Sequence, residues 1–183
     1  MRIFFLEPIQ TLILDIVAWV IIHLNIGYLS SKIPLKRLHP EHWFFQTFSW
    51  EKGGAIYDKL FHVRSWKRFI PNGSALYRGA FSIKNLVTND PAYLKRWLKE
   101  SVRSEICHWI MIIPGFFFFL WNSIEVSWFM VAYAFLNNLV PIIMQRYNRP
   151  RVRKLLAHYE KISLQKGENS AFYASQETFS NSY

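Results

Sequence analysis

The stretch VSWFMVAYAFLNNLVPIIM, residues 126–144, followed at once by QRYNRPR, residues 145–151, decides how this chain folds. The first piece carries no charge, and as a helix its 19 residues rise roughly 28 Å, close to the thickness of a bilayer's hydrocarbon core. The second piece sets Arg146, Arg149 and Arg151 at the boundary of that core. Two readings of it stand side by side. Cations beside a span fix its orientation in the membrane. The interleaved Gln145, Tyr147 and Asn148 exceed what orientation requires and mark a polar site at the interface.

Working outward, two more apolar segments have the same character. One covers about residues 9–29, interrupted by Asp15, His23 and Asn25, and the other about 106–121, including Phe116 to Phe119. The first reads as a retained anchor, because no small-residue cleavage site follows it. Only Asn122 to Glu125 separate the second and third, which therefore form a tight antiparallel hairpin. Pro114 and Pro141 are expected to bend their spans. The fold class is thus an all-α integral membrane protein of about three transmembrane helices, with interfacial amphipathic helices between the first two. Residues 1–164 form one membrane-embedded unit, and the polar segment 165–183 is expected to be disordered.

Lysines and arginines set the orientation. Of 22, fourteen lie between Ser30 and Glu105, seven follow Met144, and Arg2 is the remainder. Placing residues 30–105 and the C-terminus in the cytoplasm, with the N-terminus outside, puts all but Arg2 on the positive side of a cell-membrane protein. The formal charge of +10 alone admits nucleic-acid binding, but the aromatics sit mainly in apolar runs, and no nucleic-acid partner is expected. Between Trp43 and Phe69 rings and cations alternate, the pattern of an amphipathic helix lying among headgroups. Pro71-Asn72-Gly73 marks a turn. Asp90 and Pro91 then open a helix as N-cap and first residue, and that helix is expected to run on into the second span.

The ionisable pair Glu105 and His108 lies where the second span enters the membrane. At i and i+3 the two share a helix face, so a carboxylate can orient the imidazole of a general base. The other reading is a snorkelling glutamate beside a histidine hydrogen-bonded within the bundle. His23 and Asn138 read as helix–helix partners, and Asp15 as a group paired with a neighbouring span. No metal site is expected: Pro40 separates His39 from His42, and Cys107 is the single cysteine. The chain has no nucleophile elbow, no glycine-rich phosphate loop and no histidine followed five positions later by aspartate.

Leu24-Asn25-Ile26, Lys32-Ile33-Pro34, Glu51-Lys52, Val63-Arg64, Trp66-Lys67, Glu105 with His108-Trp109, and Gln145 to Arg151 occur in one order. Together, over roughly Leu24 to Arg153, they resemble the glycosyl-4,4'-diaponeurosporenoate acyltransferase family. That resemblance implies transfer of a fatty acyl chain to the sugar of a glycosylated C30 carotenoid acid, the closing step of staphyloxanthin synthesis. It implies a lipophilic glycosylated acceptor, an acyl donor such as acyl-coenzyme A as substrate, no bound cofactor, and membrane lipids and other carotenoid-pathway enzymes as neighbours. For that reaction, the chemistry of the residues makes His108 the expected base with Glu105 holding its ring, and places Arg146, Arg149 and Arg151 on donor phosphates. Gln145 and Asn148 are expected on the sugar or oxyanion, and Trp66 and Trp109 stacked on sugar or polyene. Acylation of another glycolipid and a non-catalytic scaffold for lipid-pathway enzymes are the alternatives.

Overall fold

The structure, a computed structural model, describes residues 3–70 and 80–180, with side chains as far as Gln165. Three helices are long and apolar enough to cross a membrane, over Pro8–Ser31, Pro91–Leu120 and Ile124–Gln165. The described residues form no strand. The turn expected at Pro71-Asn72-Gly73 lies outside the described residues.

Helix α1 (Pro8–Ser31) starts at a proline, whose missing N–H costs nothing in the first turn. Only Asp15, Gly27 and Ser30 of α1 are buried. A helix that turns apolar residues to its surroundings on nearly every side suits lipid rather than water.

Helix α4 (Pro91–Ile112) begins as expected: the Asp90 carboxylate accepts the Tyr93 N–H at 2.9 Å, and Pro91 holds the first position. Its buried stripe of Leu94, Trp97, Leu98, Ser101, Val102 and Glu105 has helical spacing and faces helix α5 (Ile124–Ser180). The expected run from interfacial helix into second span is present without a break. Pro114 then removes a backbone donor, and the last turns of that span tighten into a 3-10 helix over Ile113–Leu120. Gly115 lets this segment approach α5 closely: a Cβ there would lie 3.0 Å from that of Ala134.

Helix α5 runs through both Pro141 and Pro150. Its backbone continues past Gln165, the start of the segment expected to be disordered, as helix to Ser180.

The two ends of the bundle are distinct. At one end the Ile3 and Phe4 N–H groups donate to the Leu120 carbonyl at 2.7 and 3.1 Å. There the Asp15 carboxylate accepts from Trp121 Nε1 at 2.7 Å and Asn122 Nδ2 at 2.8 Å. Asp15 therefore pairs with the end of the neighbouring second span and the hairpin tip that follows it. At the other end the Arg103 guanidinium donates to the Ile33 carbonyl at 2.6 Å, tying the exit of α1 to α4.

Residues 43–69 are where the chain departs most from the sequence reading. One amphipathic helix was expected; instead there are 3-10 turns at Trp43–Phe45, Ser49–Gly54 and Lys67–Phe69, and helices α2 (Ala55–Phe61) and α3 (Val63–Trp66). The breaks fall at Lys52, Gly53 and Gly54, with φ of 48, 65 and 83°, and at His62, with φ of 51°. The bends wrap the segment around α5. A Cβ on Gly54 would sit 2.9 Å from the Tyr147 carbonyl oxygen, so only glycine permits this approach. Tyr57, Val63, Ile143 and Tyr147 form the small core beneath it.

Candidate functional site

Two polar layers lie between the helices, one at the cationic end of the bundle and one deeper. The outer layer is a buried ion network. Glu105 on α4 is fully buried and receives Arg146 Nε at 2.8 Å through Oε1. Its Oε2 lies 2.7 Å from an Arg149 terminal nitrogen, a charge contact rather than an aligned hydrogen bond. Arg146 also donates to Glu51 Oε1 at 3.2 Å and to the Phe44 carbonyl at 2.6 Å. Arg149 donates to the Ser101 hydroxyl at 2.8 Å and to the carbonyls of Phe45 and Ser101. Tyr57 completes the set by donating its hydroxyl to Glu51 at 2.5 Å. Burial and the neighbouring Glu51 carboxylate push the Tyr57 phenol upward, so it stays a donor.

Two carboxylates thus offset two guanidiniums with every one of the four side chains buried, and such pairing is the condition under which buried ions are tolerated. The network also joins three parts of the chain, because Glu51, Glu105 and Arg146 come from the interfacial segment, α4 and α5. The heptapeptide arginines were expected on donor phosphates; in the structure each is engaged within the protein. Arg146 and Arg149 turn inward, and their donors are taken up by the protein instead of facing a donor phosphate. Arg151 folds back over the Tyr147 ring, 3.6 Å from its centroid, and donates to the Tyr147 carbonyl.

The tryptophans are likewise engaged. Trp66 donates to the Phe61 carbonyl at 2.6 Å and packs against the Tyr57–Tyr147 core. Trp109 donates to Glu105 at 3.3 Å, with its ring edge-to-face against Phe44. Asn148 is half-buried. Gln145 is buried, and its Oε1 has no hydrogen-bond partner among the described residues.

The deeper layer contains His108. The ring is not held by Glu105, whose oxygens are drawn to the arginines across the helix interface. Its Nδ1 instead meets Asn138 Oδ1 on α5 at 2.8 Å. The orientation of Asn138 follows from its second bond, because Nδ2 donates to the Ala134 carbonyl at 2.8 Å. That leaves Oδ1 as an acceptor, so His108 carries its proton on Nδ1 and its lone pair on Nε2. His23 on α1 directs Nδ1 to the Trp19 carbonyl at 2.7 Å and lies within electrostatic reach of His108. All three spans therefore contribute to this layer. It sits roughly 4.5 Å deeper than Glu105, three residues along α4.

Sequence spacing paired His108 with Glu105, whereas the structure pairs it with Asn138. Asn138 read only as a helix–helix contact, since nothing within α5 shows which helix it meets. Glu51 and Ser101 drew no functional reading, because their arginines lie 95 and 48 positions away.

A three-span helical protein with a hydrogen-bonded imidazole between its spans and a charged layer above it is a membrane protein whose buried polar groups gather toward the cationic end of the bundle. The comparisons place it more narrowly. The glycosyl-4,4'-diaponeurosporenoate acyltransferase family model matches residues 40–158. A glycosyl-4,4'-diaponeurosporenoate acyltransferase of Staphylococcus aureus strain bovine RF122 / ET3-1 is 37% identical over 138 residues, 75% of this chain and 83% of the relative. The protein of the same name from strain Newman is 35% identical over 150 residues, 82% and 88% of the two chains. No solved structure matches the chain. The chain belongs to the glycosyl-4,4'-diaponeurosporenoate acyltransferase family, a family of acyl-transferring enzymes. The resemblance read from the motifs between Leu24 and Arg153 is borne out.

Proposed function

We propose that this protein transfers a fatty acyl chain from a thioester to the sugar hydroxyl of a glycosylated C30 carotenoid acid, completing a staphyloxanthin-type pigment. The observation that carries the site assignment is the His108–Asn138 hydrogen bond between α4 and α5. His108 Nε2 takes the proton from the sugar hydroxyl as its oxygen attacks the acyl carbonyl carbon. The carbon–sulfur bond then breaks, and the imidazolium returns the proton to the departing thiolate. Asn138 holds the tautomer that leaves Nε2 basic. An amide brings no negative charge, so it orients the ring without strengthening the base as a carboxylate would.

The position of the pair supports this chemistry. One helical turn below the ion network, His108 lies near the depth at which a lipid-anchored sugar and an acyl thioester can meet, while both hydrocarbon parts remain in the membrane. Purified protein given a fatty acyl thioester of coenzyme A or acyl carrier protein, with the glycosylated carotenoid acid, should yield an acceptor heavier by one acyl group. One thiol should be released per ester formed. Thioester hydrolysis without an ester product, or no turnover with either donor, would overturn the proposal.

The cation distribution supports a cell-membrane protein with its N-terminus outside and its C-terminus in the cytoplasm. The placing of residues 3 and 4 beside the hairpin tip makes these two features move together. Reporter fusions after Ser30, Ser123 and Tyr183 are expected to read inside, outside and inside. An extracellular signal from the Tyr183 fusion would reverse the orientation.

A further inference from the structure

We propose that the outer face of residues 43–69 is a docking surface for the anionic headgroups of the bilayer leaflet in which it lies. The inner face of this segment is committed. Tyr57 and Val63 pack on Ile143 and Tyr147, and Glu51 is buried against Arg146. Ile143 is the penultimate residue of the apolar stretch 126–144, so these contacts fix the segment at the height where α5 leaves the hydrocarbon.

The outer face has a composition that water alone does not explain. Trp43, Trp50, Leu60 and Phe69 are 65, 59, 61 and 71% exposed. Large rings at the boundary of a span are stable when the ring body sits among lipid and its edge meets headgroups. Lys52, Lys59, Arg64 and Arg68 are exposed on the same segment. Of the acids there, Glu51 is buried and Asp58 pairs with Arg64 at 3.1 Å, which leaves Lys52, Lys59 and Arg68 as the exposed cations that no carboxylate of the segment offsets. The exposed charge is therefore nearly all positive. Continuity with the spans places it against a leaflet, and its sign selects lipids with a negative headgroup.

The consequence reaches the site, a step that rests on the acyl-transfer reading above. The segment is joined to α4 and α5 through Glu51, Arg146 and Glu105, so lipid charge that holds it down also steadies the layer above His108.

Hydrogen exchange of residues 43–69 tests the surface without reference to activity. It compares nanodiscs of phosphatidylcholine alone with discs containing about one third phosphatidylglycerol, since each cation near an anionic surface is worth roughly fivefold in occupancy. Exchange should slow several-fold in the anionic discs and recover in high salt. The double variant K59E/R68E should lose that difference and keep wild-type exchange in α4. Its milder counterpart, K59Q/R68Q, should lose part of it if the reversed form inserts poorly. Equal exchange in both lipids would overturn the proposal. Protection appearing only on addition of coenzyme A would also overturn it, and would assign the cations to a soluble phosphate-bearing donor. Acyl transfer in the same two discs should be faster in the anionic one. An inactive protein with lipid-dependent exchange would refute the proposed reaction and leave the docking surface standing.

Discussion

Glu105→Gln is expected to destabilise the folded protein by about 3–5 kcal/mol, the cost of breaking a buried ion pair by removing one partner. The substitution keeps the side-chain shape and removes the one charge shared by Arg146 and Arg149. Two buried guanidiniums then face each other with only Glu51 left to offset them. The surrounding layer provides little solvent to compensate, because Glu105 and Arg149 are 0 and 2% exposed. Denaturant unfolding in detergent measures the effect. Glu105→Asp keeps the charge with a shorter reach and should lose much less. A Glu105→Gln protein within about 1 kcal/mol of wild type would mean that the network is more hydrated, or less coupled, than its geometry shows.

His108→Ala should reduce acyl transfer by about 10²–10⁴-fold while leaving the protein in the membrane, the range typical of losing a general base. Removing the ring leaves the buried Asn138 Oδ1 without its partner, so the stability loss should be about 1–3 kcal/mol, smaller than that of Glu105→Gln. Large loss of rate with a limited loss of stability separates chemistry from packing. Activity within a few-fold of wild type would return His108 to a packing role and direct attention to His23. Glu105 and His108 should therefore differ in kind, the first governing stability and the second rate, although one turn of α4 carries both.

Much of the architecture could be read from local pattern. The spans were legible because a long apolar run with no lysine or arginine and at most one carboxylate has few uses outside a bilayer. The start of α4 was legible because Asp90 and Pro91 satisfy the needs of a helix N-terminus with their own side chains. The pairing of Glu105 was not legible. Its nearest polar residue on the same helix face is His108, but the partners that hold it are 41 and 44 residues away on α5. A charge at the centre of a helix interface goes to the strongest opposite charge across it, and helical periodicity does not report what lies across. The same limit applies to residues 43–69. Alternating rings and cations indicated a membrane surface, whereas the positive φ at Lys52, Gly53, Gly54 and His62 answers to the contour of α5. Net charge does not report pairing. Arg146 and Arg149 stand among the 22 lysines and arginines, and Glu51 and Glu105, already counted in the +10, are buried against them.

A double-mutant cycle of acyl-transfer rates for wild type, Asn138→Ala, His108→Ala and the double variant shows whether Asn138 acts on catalysis through His108. If Asn138 serves to hold the imidazole tautomer, its removal has nothing left to affect once the imidazole is gone. Asn138→Ala should slow the wild-type enzyme substantially and change the His108→Ala enzyme by less than about twofold. Losses that multiply across the cycle would show that the two residues act separately, contradicting the site derived from their hydrogen bond.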